Sequence, residues 1–299
     1  MTAPASPGSA NARAIALVLA SSLFFALGDT IVKALARDFP VGEIVLFRSL
    51  FCLLLLVVLR RRGEPPVPRG LGHPLLLARS AFEIAVTAFF FAALALMPLG
   101  DAVAILFVSP VLLTALAGPL LGERVDRRHW SAVLAGFAGV LLIVRPGGGG
   151  YGVEALLPLL AASAIAGRDL LARRLPARLD NRTVVFATTL ALLAFGALVA
   201  PWSWRTPTPE FLAGVAVAAL TVTLAFWSYV AATRTAEVAV LQPFKYASVP
   251  LSYVLGHLVF GETPDPAAAI GVALIVFSGL AIWRSERARA GGPRAVAGS

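Results

Sequence analysis

The sequence has 299 residues, 59% hydrophobic and only 14% charged, with a mean hydropathy of +0.85. A soluble domain carries roughly 25% charged residues, so a water-soluble fold is excluded. The formal net charge of +9 is spread over short segments between apolar runs, which speaks for a lipid bilayer as surroundings and against a nucleic-acid partner.

A membrane-spanning helix needs about 20 predominantly apolar residues, and spans must be helical because backbone groups find no water in hydrocarbon. Ten segments qualify in chain order: Asn11 to Ala36, Val41 to Arg60, Leu75 to Leu96, Gly100 to Leu121, His129 to Arg145, Gly152 to Ala172, Arg182 to Pro201, Glu210 to Ala232, Glu237 to Phe260 and Pro266 to Arg284. The first superficially resembles a signal peptide, with Ala34-Leu35-Ala36 as a cleavage site. Asp29 and Lys33 interrupt that region, so a retained helix is expected. The fold expected is therefore an all-α membrane protein.

Lys and Arg in alternate loops set its orientation. One side holds seventeen arginines between Arg13 and Arg294, the other only Lys33, Arg37, Arg145 and Arg205. With an even number of spans, both termini are expected in the cytoplasm, in a cell (inner) membrane. Trp130, Trp202, Trp204 and Trp283 fall near span ends, as an interfacial belt predicts.

The two halves correspond at one offset. Gly28 aligns with Gly167, 139 positions on; Phe47 with Phe186, Ser109 with Ser248, and Gly122-Glu123 with Gly261-Glu262 follow at the same spacing. Five spans per copy make the second copy inverted. The division expected is a flexible tail over 1–10, repeats over 11–145 and 152–284, and a basic tail over 285–299.

Substrate sites in such repeats lie where corresponding spans are broken by Gly or Pro. Spans four and nine carry Pro110 and Pro119, and Pro243 and Pro250, with Ser109 and Ser248 at matched positions. Pro110 and Pro250 are taken as helix breaks, lining a pocket or serving packing alone.

Ionisable groups within spans are costly and default to function. Arg48 fits either a substrate carboxylate or a structural pair with Asp29 or Glu43. Lys245, one of two lysines, lies deep in span nine beside Tyr246, with Trp227 and Tyr229 on span eight; this set suits a planar or zwitterionic metabolite, the alternative being a lysine that snorkels to the interface. Glu83 can pair with Arg79, and Asp29 with Lys33, each at i and i+4; either acid, if loosely paired, is a candidate proton carrier. Asp101, Arg168 and Asp169 lie near span ends and are read as interfacial, and His257 as a packed or interfacial residue.

The paired stretches from Pro110 to Gly122-Glu123 and from Pro250 to Gly261-Glu262, each followed by a Gly-rich terminal span, resemble the duplicated signature of the EamA family within the drug/metabolite transporter superfamily. Phe47-Arg48-Ser49 also looks like that family's Phe-Arg step. The resemblance covers Ala14 to Arg284 and implies ten helices, an inverted repeat and transport of small organic metabolites. Trp130 to Pro146 and Pro243 to Asp265 are similar to a branch handling S-adenosylmethionine, riboflavin and opine-like metallophores.

No phosphate-binding Gly-x-x-x-x-Gly-Lys-Ser/Thr run is present, so gradients are the expected energy source. His73, His129 and His257 lack metal-ligand spacing, so neither metal nor cofactor is expected and a membrane enzyme is disfavoured. The lone Cys52 forms no intrachain disulfide. The function expected is gradient-driven transport of a small-molecule substrate by a monomer or homodimer, with passive facilitation or exchange as the alternative.

Overall fold

The structure, a computed structural model, describes residues 7–60, 63–113, 127–145, 151–172, 174–176, 179–234, 241, 244–263 and 265–290. Its α-helices are α1 (Pro7–Leu35), α2 (Val41–Val58), α3 (Pro74–Leu96), α4 (Leu99–Leu106), α5 (Arg127–Val144), α6 (Leu156–Ala172), α7 (Asn181–Val199), α8 (Pro209–Thr233), α9 (Ser248–Phe260) and α10 (Pro266–Ala290). Among the described residues there is no strand. Helix extends into residues 7–10 and 285–290, beyond the expected spans. Pro119, Gly122-Glu123 and Pro243 lie outside the described residues.

Among the described residues, six stretches are long and apolar enough to cross a membrane: Ala12–Leu35, Val41–Val58, Pro74–Leu96, Val153–Ala172, Asn181–Ser203 and Pro209–Thr233. They fall on α1 to α3 and α6 to α8, the same positions in each half. The other helices hold the shorter apolar stretches Leu99–Leu113, Leu134–Val144, Ser248–Phe260 and Pro266–Ser278.

Local chemistry sets several helix starts. Pro74 and Pro209 occupy first-turn positions, where no N–H is needed. Thr208 accepts from the Phe211 N–H at 3.2 Å, and Asp180 from the Thr183 N–H at 2.8 Å. The Thr183 hydrogen bonds, side chain foremost, hold the Asp180 carboxyl below the ordinary carboxylate range. With the folded-state value below the unfolded one, this contribution is complete at neutral pH and is lost as pH falls through the depressed value. Asp180→Ala is expected to cost about 1 kcal/mol, read as a lower unfolding temperature in detergent at pH 7, with a smaller difference in acid.

Packing follows the internal repeat. The contact between α1 and α8 is matched by α6 with α3, α2 with α8 by α7 with α3, and α1 with α9 by α6 with α4; the corresponding helices α2 and α7, α4 and α9, and α5 and α10 pack on each other. The match reaches single residues. A Cβ on Gly28 would meet Thr221 Oγ1 at 3.0 Å, and one on Gly167 would meet Phe82 Cε1 at 2.5 Å. Both members of each pair are related by the 139-residue offset, so the two crossings are copies that need a bare backbone.

Several of the largest buried side chains, Phe211, Ile44, Met97 and Leu99, belong to a cluster at the end of the bundle that carries Lys33. At the opposite end a smaller cluster among the described residues consists of Ala14, Val18, Ala232 and Leu241. Exposed Leu54, Leu134, Leu198 and Phe277 form outward faces suited to lipid.

Candidate functional site: a one-sided central cavity

The uneven packing leaves a cavity of about 2050 Å³. Its lining starts at Arg13, Arg60, Arg182 and Arg234, on one end of the bundle, and reaches Gly28, Asp29, Arg48 and Phe91 at mid-depth.

Two broken helices contribute to the wall. The helical path is interrupted at residues 107–108, before Ser109-Pro110, and at 246–247, before Ser248 and Pro250. Val108 N–H bonds back to Ile105 O at 3.0 Å and Ala247 N–H to Phe244 O at 3.2 Å, the tighter three-residue spacing. Phe107 and Tyr246, repeat partners at the 139 offset, pack ring to ring across the breaks, with centroids 5.0 Å apart. Lys245 Nζ sits 4.3 Å from the Tyr229 ring centroid.

Ser109, Pro110 and Ser248 line the cavity together with these residues. Pro250 does not; it lies in the first turn of α9 and faces an outer apolar groove with Leu19, Leu23 and Val254. Trp227 lines the cavity but is 69% exposed, which places it at the edge.

The charged candidates have partners that sequence spacing did not indicate. Arg48 stacks its guanidinium 4.7 Å from the Phe91 centroid and is the charge acting on Asp29. The expected Asp29–Lys33 pair does not form, because Lys33 turns to Glu262 at 3.1 Å. Glu83 meets Arg79 at 3.9 Å, as its spacing allows, and meets Arg168 of α6 more closely, at 3.1 Å. Arg168 also holds Asp169 at 2.9 Å, and Arg79 donates to Thr188 Oγ1 at 2.8 Å. Arg168 and Asp169 are thus cavity residues, because packing of α6 on α3 brings them opposite Glu83.

The opposite end is sealed. Buried Lys33 also donates to the carbonyls of Leu94, at 3.0 Å, and of Met97. The second Glu262 oxygen accepts the Leu99 N–H at 2.8 Å, at the start of α4. Gly261, with φ 70°, ends α9 in the left-handed conformation that turns the chain into Glu262. Phe260 lies under both Lys33 and Arg37, at 5.4 and 4.7 Å.

Asp101, read as interfacial, is buried and accepts from the hydroxyls of Tyr151 and Tyr253. Burial, then the Asp101 hydrogen bond, pushes the Tyr151 hydroxyl above its ordinary range, which keeps it a donor. An Arg145–Asp265 ion pair joins the two halves nearby. These contacts were not visible in the sequence, although Gly261-Glu262 and the in-span Lys33 stood out separately. Among the described residues no His, Cys, Asp and Glu cluster could hold a metal ion.

These features define a polytopic helical membrane protein with a duplicated architecture and a charged, aromatic-lined central cavity. The chain belongs to the EamA-like transporter family, whose model matches residues 12–145 and 153–284. It is 31% identical over 196 residues to the riboflavin transporter of Vibrio cholerae, covering 64% of this chain and 66%, just under two thirds, of that protein. It is 29% identical over 276 residues to the pseudopaline exporter of Pseudomonas aeruginosa, covering 91% of this chain and 96% of the exporter. A solved crystal structure, 24% identical, superposes with a TM-score of 0.63 over 93% of this chain and 99% of that one, a likeness of fold.

Proposed function

We propose that the chain is a gradient-driven carrier of a small organic metabolite in the inner membrane, with ten spans in two inverted five-helix repeats and both termini cytoplasmic. The single observation that carries this reading is the cavity, open through the arginine-rich end and sealed at the Lys33 end. A carrier that works by alternating access needs such a one-sided path to a midplane site between its repeats. The positive-inside rule makes the arginine-rich end cytoplasmic, so this conformation faces inward. The family membership and the metabolites named for the relatives support the substrate size.

In this reading Arg48, Lys245, Tyr229, Tyr246, Ser109 and Ser248 form the substrate site, with Trp227 at its edge. Asp29, with Arg48 as its charged neighbour, is the favoured proton-coupling group. Glu83 belongs to the α3–α6 ion network and is the weaker candidate. Saturable uptake in right-side-out vesicles tests the assignment, using riboflavin, S-adenosylmethionine and amino-acid derivatives with and without a pH gradient. Lys245→Ala and Arg48→Ala are each expected to lower uptake by about ten-fold or more, the equivalent of one lost charge-assisted contact. Uptake unchanged in both variants would remove the site assignment.

A further inference from the structure

Among the described residues, eight Lys and Arg line the cavity against five Asp and Glu, a surplus of three positive charges. Arg13, Arg60 and Arg234 belong to the cytoplasmic rim and follow from membrane orientation. Deeper, the charges mostly cancel. Arg79 and Arg168 face Glu83 and Asp169 in one network, while Arg48 lies on the Phe91 ring with Asp29 as its charged neighbour and, among the described residues, has no carboxylate within ion-pair distance.

Lys245 is unpaired in the same way. Among the described residues its ammonium has no carboxylate within ion-pair distance, and its close neighbour is the face of Tyr229, 4.3 Å from the ring centroid. An aromatic face attracts a cation but does not neutralise it. The repeat partner of Lys245 is Leu106, so the other half supplies no matching charge. A cation without a counter-charge is tolerable while water fills the open cavity, and it becomes costly when closure removes that water. A bound anion removes this cost at the step where the carrier must close. The same cavity is lined by the rings of Phe107 and Tyr246, where a flat group can pack.

On the carrier reading above, we infer that the substrate is an organic anion: a carboxylate or phosphate held by Lys245, joined to a flat ring that packs on Phe107 and Tyr246. The arginine rim then steers the anion in, and a cationic compound of the same shape is repelled.

The test uses the full chain in nanodiscs and three probes with one ring and different charge: indole-3-acetate, indole-3-acetamide and tryptamine. Ligand-induced shifts in unfolding temperature are converted to dissociation constants. Riboflavin 5′-phosphate against riboflavin repeats the comparison with a phosphate in place of a carboxylate. In at least one of the two series the anion is expected to bind about ten-fold tighter than its neutral analogue, with tryptamine weakest of its set. Lys245→Met and Lys245→Gln are expected to abolish that preference, and Lys245→Arg to keep it. Equal binding of anion and neutral analogue in both series, tightest binding of tryptamine, no binding by any probe, or a preference that survives Lys245→Met and Lys245→Gln each overturns the inference. Failure of the anion preference alongside proteoliposome counterflow of riboflavin would leave the carrier reading standing. Anion binding without counterflow would do the reverse.

Discussion

Glu262→Gln is expected to open the sealed end. In the wild type both carboxylate oxygens are used, one by Lys33 at 3.1 Å and the other by the Leu99 N–H at 2.8 Å. The amide can keep one hydrogen bond but cannot neutralise Lys33, which is buried. Removing one partner of a buried pair leaves an uncompensated charge and costs about 3 kcal/mol. That cost falls on the state closed at the Lys33 end, so on the carrier reading proposed above the balance between the two facing states moves by about a hundred-fold.

The readout is the rate at which an impermeant maleimide labels Leu106→Cys, a partly exposed position lining the cavity, in a chain whose Cys52 is replaced by Ser. With Glu262 intact, labelling is expected only from the cytoplasmic face. With Glu262→Gln, it is expected from outside as well. Lys33→Met combined with Glu262→Gln should restore part of the closure, because it removes the stranded charge. Labelling from outside at equal rates in all three chains would show that this pair does not hold the end shut.

The second large effect belongs to the α3–α6 network. Arg168→Leu removes the contacts at 3.1 Å to Glu83 and 2.9 Å to Asp169, leaving Glu83 with the longer 3.9 Å contact to Arg79. Glu83 and Arg168 have side chains only 16% and 23% exposed. Screening is therefore partial, and the single substitution is expected to cost about 2 to 3 kcal/mol in unfolding. Arg168→Leu with Glu83→Leu should cost less than the sum of the two single changes, since neither charge is then stranded. Strict additivity would show that the two side chains act independently. Transport should fall in the single variants even where expression is normal, because the packed pair α3 and α6 forms one wall of the cavity.

Much of the fold is legible in the sequence for a physical reason. Membrane spans must be apolar and helical over a fixed length, so hydropathy reads α1 to α3 and α6 to α8 directly. The constant offset also reads the duplication, because Gly28 and Gly167 sit at equivalent crossings where neighbouring side chains leave no room for a Cβ. The broken helices are harder. Pro110 and Pro250 announce interruptions, but only one of them lines the cavity, since helical phase turns Pro250 toward the outer surface.

Charge partners are the least legible layer. Spacing within one helix proposes Asp29 with Lys33 and Glu83 with Arg79, because only neighbours along the chain are visible there. Lys33 instead reaches a residue 229 positions away, and Glu83 meets Arg168 more closely than Arg79. Asp101, Arg168 and Asp169 looked peripheral because they lie near helix ends. In a bundle of two packed repeats, helix ends from different helices meet, so position along a helix does not measure distance from the site.

The most direct test of the central claim locks the sealed end. With Cys52 replaced by Ser, Lys33→Cys and Glu262→Cys would be joined by a short bifunctional methanethiosulfonate, and counterflow measured in proteoliposomes with riboflavin, S-adenosylmethionine and opine-type carboxylates. Alternating access predicts saturable counterflow of at least one compound, abolished by the cross-link and restored when it is reduced. Counterflow that continues through the cross-linked protein, or none with any compound, would contradict it.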